Sequence, residues 1–498
     1  MSFKRSFGVL MHPTSTPGPY GIGDMGSGLY EFIDFLHKSG AKLWQIMPLG
    51  PTGYGDSPYA CFSAMAGNPL LISPDLLRKE GLLSASDLKA VPCFPRECVD
   101  FGPVINYKYS LYKKAFARFR ELSEKEAIAV DYKKFCTGAD SKIWLDDFAL
   151  FMALKEKNNG AVWNTWAPSL VKRQSSALAK AGVELAESVN FHKFLQYLFM
   201  KQWLAVKKYA NERGISIVGD IPIFVAYDSS DVWGHPEIFH LDAAGKPTVV
   251  AGVPPDYFSE TGQLWGNPLY RWDELAKSDF EWWVLRVKEV LKMVDIIRID
   301  HFRGFEGCWE VPAGEPTAVK GRWVKTRGRE MFKALKSRLG DLPIIAEDLG
   351  VITPEVESLR DDFGFPGMKI LQFAFSADTK NAYLPHNFDK NCVVYTGTHD
   401  NETTLGWFKA LPEGIKKRVI EYSSGNARSI HDDFIKMAIS SVAVFAIVPL
   451  QDILGLDNRA RMNTPGKASG NWGYRYLEGE LISRVEKRLA KLCELYSR

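Results

Sequence analysis

The 498-residue chain is long enough to bury a large core, as two or three domains or as one domain enlarged by insertions. Its 62 lysines and arginines nearly balance its 59 aspartates and glutamates, so the composition does not favour a nucleic-acid or membrane partner. An odd set of seven cysteines without a C-x-x-C pair, together with the lack of a signal-peptide or membrane-spanning pattern, predicts a cytoplasmic location.

Eight short apolar runs recur along the chain, and most are rich in Ile and Val, as strands buried on both faces are. Helix-like stretches at residues 29–39, 280–293 and 353–363 separate several of them. This alternation predicts an α/β fold, and eight strands match a (β/α)8 TIM barrel. The predicted strands are residues 7–11, 43–49, 215–223, 295–302, 343–349, 368–375, 392–398 and 442–450.

The uneven spacing of these runs predicts insertions in the barrel. Apolar residues recur at helical spacing in residues 143–155 and 191–209, whereas a later stretch is rich in glycine, proline and aromatic residues and has little periodicity. The predicted organisation is the barrel start at 1–70, a mostly helical insertion between strands 2 and 3 at 71–200, barrel at 201–224, a loop-rich insertion at the barrel mouth at 225–280 and the remaining barrel at 281–498.

Several predicted strands end in acids. Asp300 closes the run IIRID, Glu347 and Asp348 follow PIIA, and Asp400 closes VVYTGTHD. Residues at the carboxyl ends of barrel strands form the active sites of TIM-barrel enzymes, and cleavage of a glycosidic bond requires a pair of carboxylates. The pattern therefore indicates carbohydrate chemistry, whereas a doubly wound open sheet gives no reason for so many acids at strand ends.

Two of these acids have neighbours that bear on their roles. Arg298 precedes Asp300 by two residues, so strand alternation places both side chains on one face. A guanidinium favours the ionised carboxylate that a nucleophile requires, although a structural ion pair is the alternative. Glu347 and Asp348 are adjacent, so only one of them faces the barrel axis, and either acid meets the requirements of a general acid.

Asp400 also has two interpretations. A carboxylate that binds sugar hydroxyls would stabilise the positively charged transition state. Alternatively, HDNET precedes the apolar Leu405 and Trp407, so Asp400 would serve as a helix N-cap. Asp220, in GDIPI on another predicted strand, is expected to brace the site rather than react.

Two segments combine aromatic residues with glycines. Residues 256–270, which include Trp265, are interpreted as a lid over a sugar, because the C–H faces of sugars pack on aromatic planes and glycines allow a loop to move. The alternative is a loop that covers the core. The same two interpretations apply to Tyr54, Ser57 and Tyr59, which follow the second predicted strand.

Two further patterns concern cofactors. GIGDMG at residues 21–26 matches the dinucleotide fingerprint, but a proline-rich segment separates it from the preceding strand and the next run lacks an acid for a ribose. His235 and His240 form an isolated pair without an HExxH motif. The sequence therefore predicts neither a nicotinamide cofactor nor a catalytic metal.

Nine ordered motifs resemble those of the 4-α-glucanotransferases, also called amylomaltases or disproportionating enzymes, of glycoside hydrolase family 77. They are GPYGIGDMG, WQIMPLGPTGYGDSPY, WLDDFALFMALK, GDIPIFVAYDSSDVW, GQLWGNPLY, IRIDHFRGF, IIAEDLG, THDNET and RMNTPG. The resemblance implies a (β/α)8 barrel with inserted subdomains, a retaining double displacement, and no organic cofactor or obligatory metal. Where the family often has a tryptophan after NW, this chain has Tyr474.

Roles for individual residues follow from the same resemblance. It implies that Asp300 is the nucleophile, Glu347 the acid/base and Asp400 the transition-state stabiliser. The substrate-binding residues that it implies are Arg298, His399, Asp220, Ser57, Gln263, Trp265 and Asn463, with Tyr54 and Tyr59 as further glucan contacts.

The expected reaction transfers segments of α-1,4-glucans from a donor to the 4-hydroxyl of an acceptor. Donors and acceptors would be maltooligosaccharides or glucans derived from starch or glycogen, with no nucleic-acid or membrane partner; the sequence does not predict an oligomeric state. The alternatives are an α-glucan hydrolase with the same carboxylates and a non-catalytic glucan-binding protein. A sugar-phosphate isomerase is disfavoured because no convincing phosphate-binding glycine loop follows the late strands.

Overall fold

The computed structural model describes residues 3–255, 259–376 and 378–498. The strands in these residues are β1 (Ser6–Leu10), β2 (Leu43–Gln45), β3 (Ser216–Pro222), β4 (Val249–Val253), β5 (Gln263–Pro268), β6 (Ile296–Asp300), β7 (Gly307–Pro312), β8 (Arg322–Lys325), β9 (Ile344–Ala346), β10 (Gly367–Ile370), β11 (Cys392–Tyr395) and β12 (Phe445–Pro449).

The helices share the chain between and after these strands. They are α1 (Ser27–Lys38), α2 (Pro74–Lys79), α3 (Phe101–Glu121), α4 (Ala127–Thr137), α5 (Ala139–Lys157), α6 (Pro168–Val171), α7 (Ser175–Glu184), α8 (Ala186–Glu212), α9 (Ser230–Gly234), α10 (Trp272–Lys277), α11 (Glu281–Met293), α12 (Gly328–Leu339), α13 (Pro354–Asp362), α14 (Thr404–Ala410), α15 (Glu413–Ser423), α16 (Ile430–Ser440), α17 (Leu450–Ile453) and α18 (Ser483–Leu495).

Eight parallel strands form one sheet in the order β10-β11-β12-β1-β2-β3-β6-β9. Each of the eight predicted runs contributes one of these strands, so the predicted TIM barrel is confirmed. The two ends of the sheet meet where the Ala346 N–H donates to the carbonyl of Pro366 at 3.0 Å. The barrel is thus nearly closed, which brings the carboxyl ends of all eight strands to one rim.

The barrel interior is filled by apolar side chains from all eight strands. Such a packed interior makes the barrel a rigid support for residues at its rim. The cluster comprises Leu10, Leu43, Val218, Ile296, Ile345, Met368, Val393, Tyr395, Phe445 and Ile447.

Helices α2 to α8 lie between β2 and β3. Trp144, Phe148 and Phe151, which lie at helical spacing in the sequence, are all buried on α5. Long helices α5 and α8 pack against each other and share the main hydrophobic core with the barrel. Within the described ranges, no helix is both long and apolar enough to cross a membrane.

A second sheet, which the sequence did not predict, has four antiparallel strands in the order β5-β4-β7-β8. Residues 225–280 therefore hold two strands and two helices, α9 and α10, rather than loops alone. The strands escaped prediction because β4 (VVAGV) and β5 (QLWGNP) are short, contain glycine and pair partly with β7, which is distant in sequence.

Candidate active site

The predicted acids gather at the rim where the parallel strands end. Asp220 lies on β3, Asp300 is the last residue of β6, and Glu347 directly follows β9. Asp400 lies in the loop between β11 and α14. Neighbouring parallel strands end side by side, so residues far apart in sequence share one site.

Arg298 lies between two of these carboxylates. Its Nη1 is 2.5 Å from Asp220 Oδ2 and 3.0 Å from Asp300 Oδ1, and its side chain is buried. Arg298 and Asp300 therefore share a face, as strand alternation predicts. Burial alone would lower the pKa of Arg298, but Asp220 and Asp300 outweigh it and hold that pKa well above its ordinary value. The cation is permanent and stabilises the Asp300 carboxylate.

Asp220 is held in the floor of the site by two donors. The Tyr59 hydroxyl donates to Asp220 Oδ2 at 2.8 Å, beside the Arg298 guanidinium. Burial raises the pKa of Asp220, and the Arg298 charge partly offsets this effect. The arrangement fits a residue that orients Arg298 and Tyr59.

Glu347 is fixed by two backbone donors. The His301 N–H donates to Oε2 at 2.6 Å and the Leu349 N–H donates to Oε1 at 3.1 Å. Burial, with the nearby Asp300 charge, raises the pKa of Glu347 to about 8, although Arg298 and both N–H donors favour the ionised form. The raised pKa favours the protonated form of Glu347, which is the form a general acid requires, and the neighbouring Asp300 carboxylate lies 3.0 Å from the Arg298 guanidinium.

Asp348, the neighbour of Glu347, has a different position. Its carboxylate accepts the Met368 N–H at 2.7 Å and is 2.5 Å from Arg360 Nη1. Because Met368 lies on β10, Asp348 connects the two ends of the barrel sheet. Asp348 is therefore engaged at the seam, whereas Glu347 lies within the field of Asp300, and these contacts favour Glu347 as the candidate general acid.

The N-cap interpretation of Asp400 is wrong. Helix α14 begins at Thr404, and the Thr403 hydroxyl accepts the Gly406 N–H at 3.2 Å. Asp400 Oδ1 instead accepts from Asn463 Nδ2 at 2.6 Å and lies 3.5 Å from His399 Nε2. With a side chain 47% exposed, this carboxylate is accessible to a ligand at the rim.

The rings of Tyr59, His399 and Trp472 pack together and form one wall of the site, which we call the ring wall. Tyr59 stacks on His399 with ring centroids 5.2 Å apart and planes 15° apart. Trp472 lies 5.8 Å from the Tyr59 ring and 6.0 Å from the His399 ring. Trp472 has a φ of 65°, a conformation that is rare for a bulky residue. The wall links Asp220, through Tyr59, to the loop that carries Asp400.

Trp265 and Gln263 lie on β5 at the edge of the site. The Trp265 indole N–H donates to Gln263 Oε1 at 3.1 Å, and its ring meets the His301 ring edge-on at 4.8 Å. Since His301 directly follows Asp300, Trp265 lies close to the proposed nucleophile. Residues 256–258, which include Tyr257 and Phe258, lie outside the described residues, so the lid remains a prediction.

Tyr54 differs from Ser57 and Tyr59 in its exposure and contacts. The Ser57 hydroxyl accepts the Tyr59 N–H at 3.2 Å and so shapes the turn before the ring wall. Tyr54 lies on the short turn Tyr54–Asp56 and is 85% exposed. Ser57 is therefore part of the support of Tyr59, whereas Tyr54 extends from the surface.

Three residues of the site were not singled out in the sequence: His12, His301 and Trp472. Burial, together with the charge of His399, lowers the pKa of His12 to about 3, so His12 is neutral. His12 and His301 both lie just beyond the carboxyl end of a barrel strand, which is the signal that located the acids. Trp472 belongs to the irregular carboxyl-terminal segment, where sequence pattern offers no such signal.

Comparison with known proteins identifies the family. A model of glycoside hydrolase family 77, described as 4-alpha-glucanotransferase, matches residues 11–480. The chain belongs to this 4-α-glucanotransferase family. A 4-alpha-glucanotransferase of Synechocystis is 52% identical over 99% of this chain and 98% of that relative, and one of Thermus thermophilus is 49% identical over 100% of both.

Solved structures agree with this membership. The amylomaltase of Streptococcus agalactiae, determined in complex with acarbose, has a TM-score of 0.95 and 41% identity, with 99% of this chain and 100% of that chain covered. The family resemblance and the 4-α-glucanotransferase activity predicted from the sequence are confirmed. The comparisons do not favour the hydrolase and the non-catalytic binding protein.

Proposed function

We propose that the 4-α-glucanotransferase reaction of this chain runs through Asp300, Glu347 and Asp400, with maltooligosaccharides and glucans derived from starch or glycogen as substrates. The observation that carries the proposal is that two neighbouring acids have opposite electrostatic environments. Asp300 lies 3.0 Å from Arg298 Nη1, whereas burial and the Asp300 charge raise the pKa of Glu347 to about 8. The amylomaltase solved with acarbose supports an α-glucan oligosaccharide as the ligand class.

In the first step, an Asp300 carboxylate oxygen bonds to the anomeric carbon of the donor while the glycosidic bond breaks. Glu347 gives its proton to the leaving oxygen, so the released glucan departs as an alcohol and a glycosyl ester remains on Asp300. Arg298 favours the anionic nucleophile before the attack. The Glu347 carboxylate formed in this step is stabilised by the His301 and Leu349 N–H donors.

In the second step, Glu347 takes the proton of the acceptor 4-hydroxyl. The acceptor oxygen bonds to the anomeric carbon, the ester bond to Asp300 breaks, and two inversions give net retention. The step restores the protonated Glu347 and the Asp300 anion. The same two N–H donors must therefore tolerate both protonation states of Glu347, which a raised but reachable pKa allows.

Binding residues surround this pair. Asp400, oriented by Asn463 and His399, is proposed to bind sugar hydroxyls and to favour the positively charged ring of the transition state. Transfer requires that an acceptor sugar outcompete water for the ester, and Trp265 and Gln263 at the rim are proposed to form acceptor contacts that exclude solvent.

Three further residues, Tyr54, Ser57 and Tyr59, are proposed to contact the glucan. A cytoplasmic location is proposed as well, because all seven cysteines, each within the described residues, have free thiols.

The test is incubation of the purified protein with maltotriose alone, with products resolved by chain length and new reducing ends counted. We expect glucose and a ladder of longer oligosaccharides at a nearly constant number of reducing ends. A rise in reducing ends with shortening alone would replace transfer by hydrolysis. Asp300→Asn is the matched control, and activity at the wild-type level in that variant would contradict the proposed nucleophile.

A further inference from the structure

Arg303 lies in the short helical turn Phe302–Phe305 that follows Asp300. The residue is only 7% exposed although it carries a charge. The guanidinium carbon lies 3.7 Å from the centroid of the Trp323 ring, and Nη1 donates to the carbonyl of Val351 at 2.6 Å. One side chain therefore joins the turn after Asp300, the loop after Glu347 and strand β8 of the second sheet.

A buried guanidinium is costly unless its charge and donors are engaged. Burial lowers the pKa of Arg303, and the nearby carboxylates Glu306 and Glu355 only partly offset this. The ring of Trp323, a residue that is 40% exposed, supplies a cation–π contact on one face of the guanidinium. Arg303 is thus held by an aromatic ring and a backbone carbonyl, a combination that fixes its direction as well as its charge.

The loop that Arg303 contacts also holds Glu347. Leu349 donates its N–H to Glu347 Oε1 at 3.1 Å, and Val351 follows two residues later. Between them, Gly350 has a φ of 90°, a conformation that gives this loop a sharp, glycine-dependent turn. Because Val351 lies directly beyond this turn, its bond to Arg303 restrains the segment that carries the Leu349 N–H.

We propose that Arg303 is a positioning residue for Glu347, acting through the anchored carbonyl of Val351 and through Trp323 on the second sheet. This inference rests on the proposed role of Glu347 as the acid/base. The second sheet, which carries Trp265 and Gln263 on β5, is thereby connected at its opposite edge strand to the loop of the acid/base.

The expected signature is a change in the proton affinity of Glu347. Loss of the anchor weakens the Leu349 N–H bond, and because that bond favours the ionised carboxylate, the pKa of Glu347 rises further. The other groups that act electrostatically with Glu347 stay in place in the variants below. They are Asp300, Arg298, Tyr383 and Tyr395.

The experiment measures the pH profile of kcat/KM for maltotriose disproportionation in Arg303→Met, which keeps side-chain length but neither donates nor stacks as a cation. Trp323→Phe is the milder second variant. The control is Arg329→Met, which removes a partly exposed arginine paired with Asp362 on neighbouring helices. In Arg303→Met we expect kcat/KM to fall about tenfold and the alkaline limb of the profile, where kcat/KM declines with rising pH, to move to higher pH. Trp323→Phe should show a smaller shift of this limb in the same direction. Arg329→Met should show neither change.

An alkaline limb that stays at its wild-type position in both variants, even with reduced activity or a lower melting temperature, would overturn the proposal and leave Arg303 a structural role alone. A failure of the underlying assignment looks different. In that case Glu347→Gln would retain wild-type disproportionation, whatever the Arg303 variants do.

Discussion

The floor of the site and its rim are built in opposite ways. In the floor, Asp220 and Arg298 have side chains 1% and 5% exposed and are 2.5 Å apart. At the rim, Trp265 is 38% exposed and Tyr54 is 85% exposed. Charges interact strongly where water is excluded, so the buried pair in the floor influences the pKa values of the neighbouring acids. The exposed aromatic residues at the rim instead provide apolar surface on which a sugar chain can pack. The buried ion pair and the exposed aromatic residues of the site are thus separated by depth.

The largest effect is expected at Asp300, which contacts the floor through Arg298. Asp300→Asn removes the nucleophile, and we expect the rate of maltotriose disproportionation to fall on the order of 10⁴-fold. The fold should persist, since Arg298 keeps its contact with Asp220. Rates are compared with circular-dichroism melting of the same sample. A variant that retains a tenth of wild-type activity would remove Asp300 from the proposed step.

Stability provides the second contrast. Arg298→Met leaves the buried Asp220 carboxylate without its counterion and removes the partner of the partly exposed Asp300, and we expect the free energy of unfolding to fall by about 3–5 kcal/mol. Lys320→Met is the matched exposed change, since Lys320 pairs with Glu315 at 3.3 Å and its side chain is 74% exposed. That loss should stay below about 1 kcal/mol. Denaturant unfolding measures both, and equal losses would contradict the contrast.

The third prediction concerns pH. Burial and Asp300 raise the pKa of Glu347 to about 8, so kcat/KM should fall about tenfold per pH unit above that value as the acid loses its proton. The folded protein holds this proton more tightly than the unfolded chain. The stability from this group is therefore complete below the ordinary value of 4.5 and is lost as pH rises through about 8.

Glu347→Gln is the control for this pH effect. The variant should remove the alkaline fall in kcat/KM. It should also flatten the pH dependence of the unfolding free energy between pH 4.5 and pH 8. An unchanged stability profile in this variant would show that another group titrates in that range.

The smallest effect is expected at the rim. Trp265→Ala removes an aromatic contact worth about 1 kcal/mol, which should raise the ratio of hydrolysis to transfer about fivefold. Leu264→Ala is the matched control, because Leu264 is the adjacent residue on β5, points to the opposite face and is 39% exposed. Product analysis with maltotriose gives the ratio. If both variants shift it equally, Trp265 has no specific part in excluding water.

Sequence pattern located much of the fold and part of the site. The eight barrel strands were predictable because strands buried on both faces are continuously apolar, and the acids were predictable because they end those strands. The second sheet was not, since β4 and β5 are short and pair partly with the distant β7. Trp472 was also missed, because it reaches the Tyr59 and His399 rings from an irregular segment.

By itself, the sequence determined the barrel, the strand-end carboxylates and the neighbourhood of Arg298 and Asp300, because these follow from local periodicity along one chain segment. Periodicity left the choice between Glu347 and Asp348 open, and the family resemblance implied Glu347. Only the tertiary structure shows that Asp348 meets β10 across the barrel seam whereas Glu347 lies within the field of Asp300. It also decided against Asp400 as a helix cap. Contacts between segments distant in sequence set burial and charge partners, and those two quantities determine what an acid does.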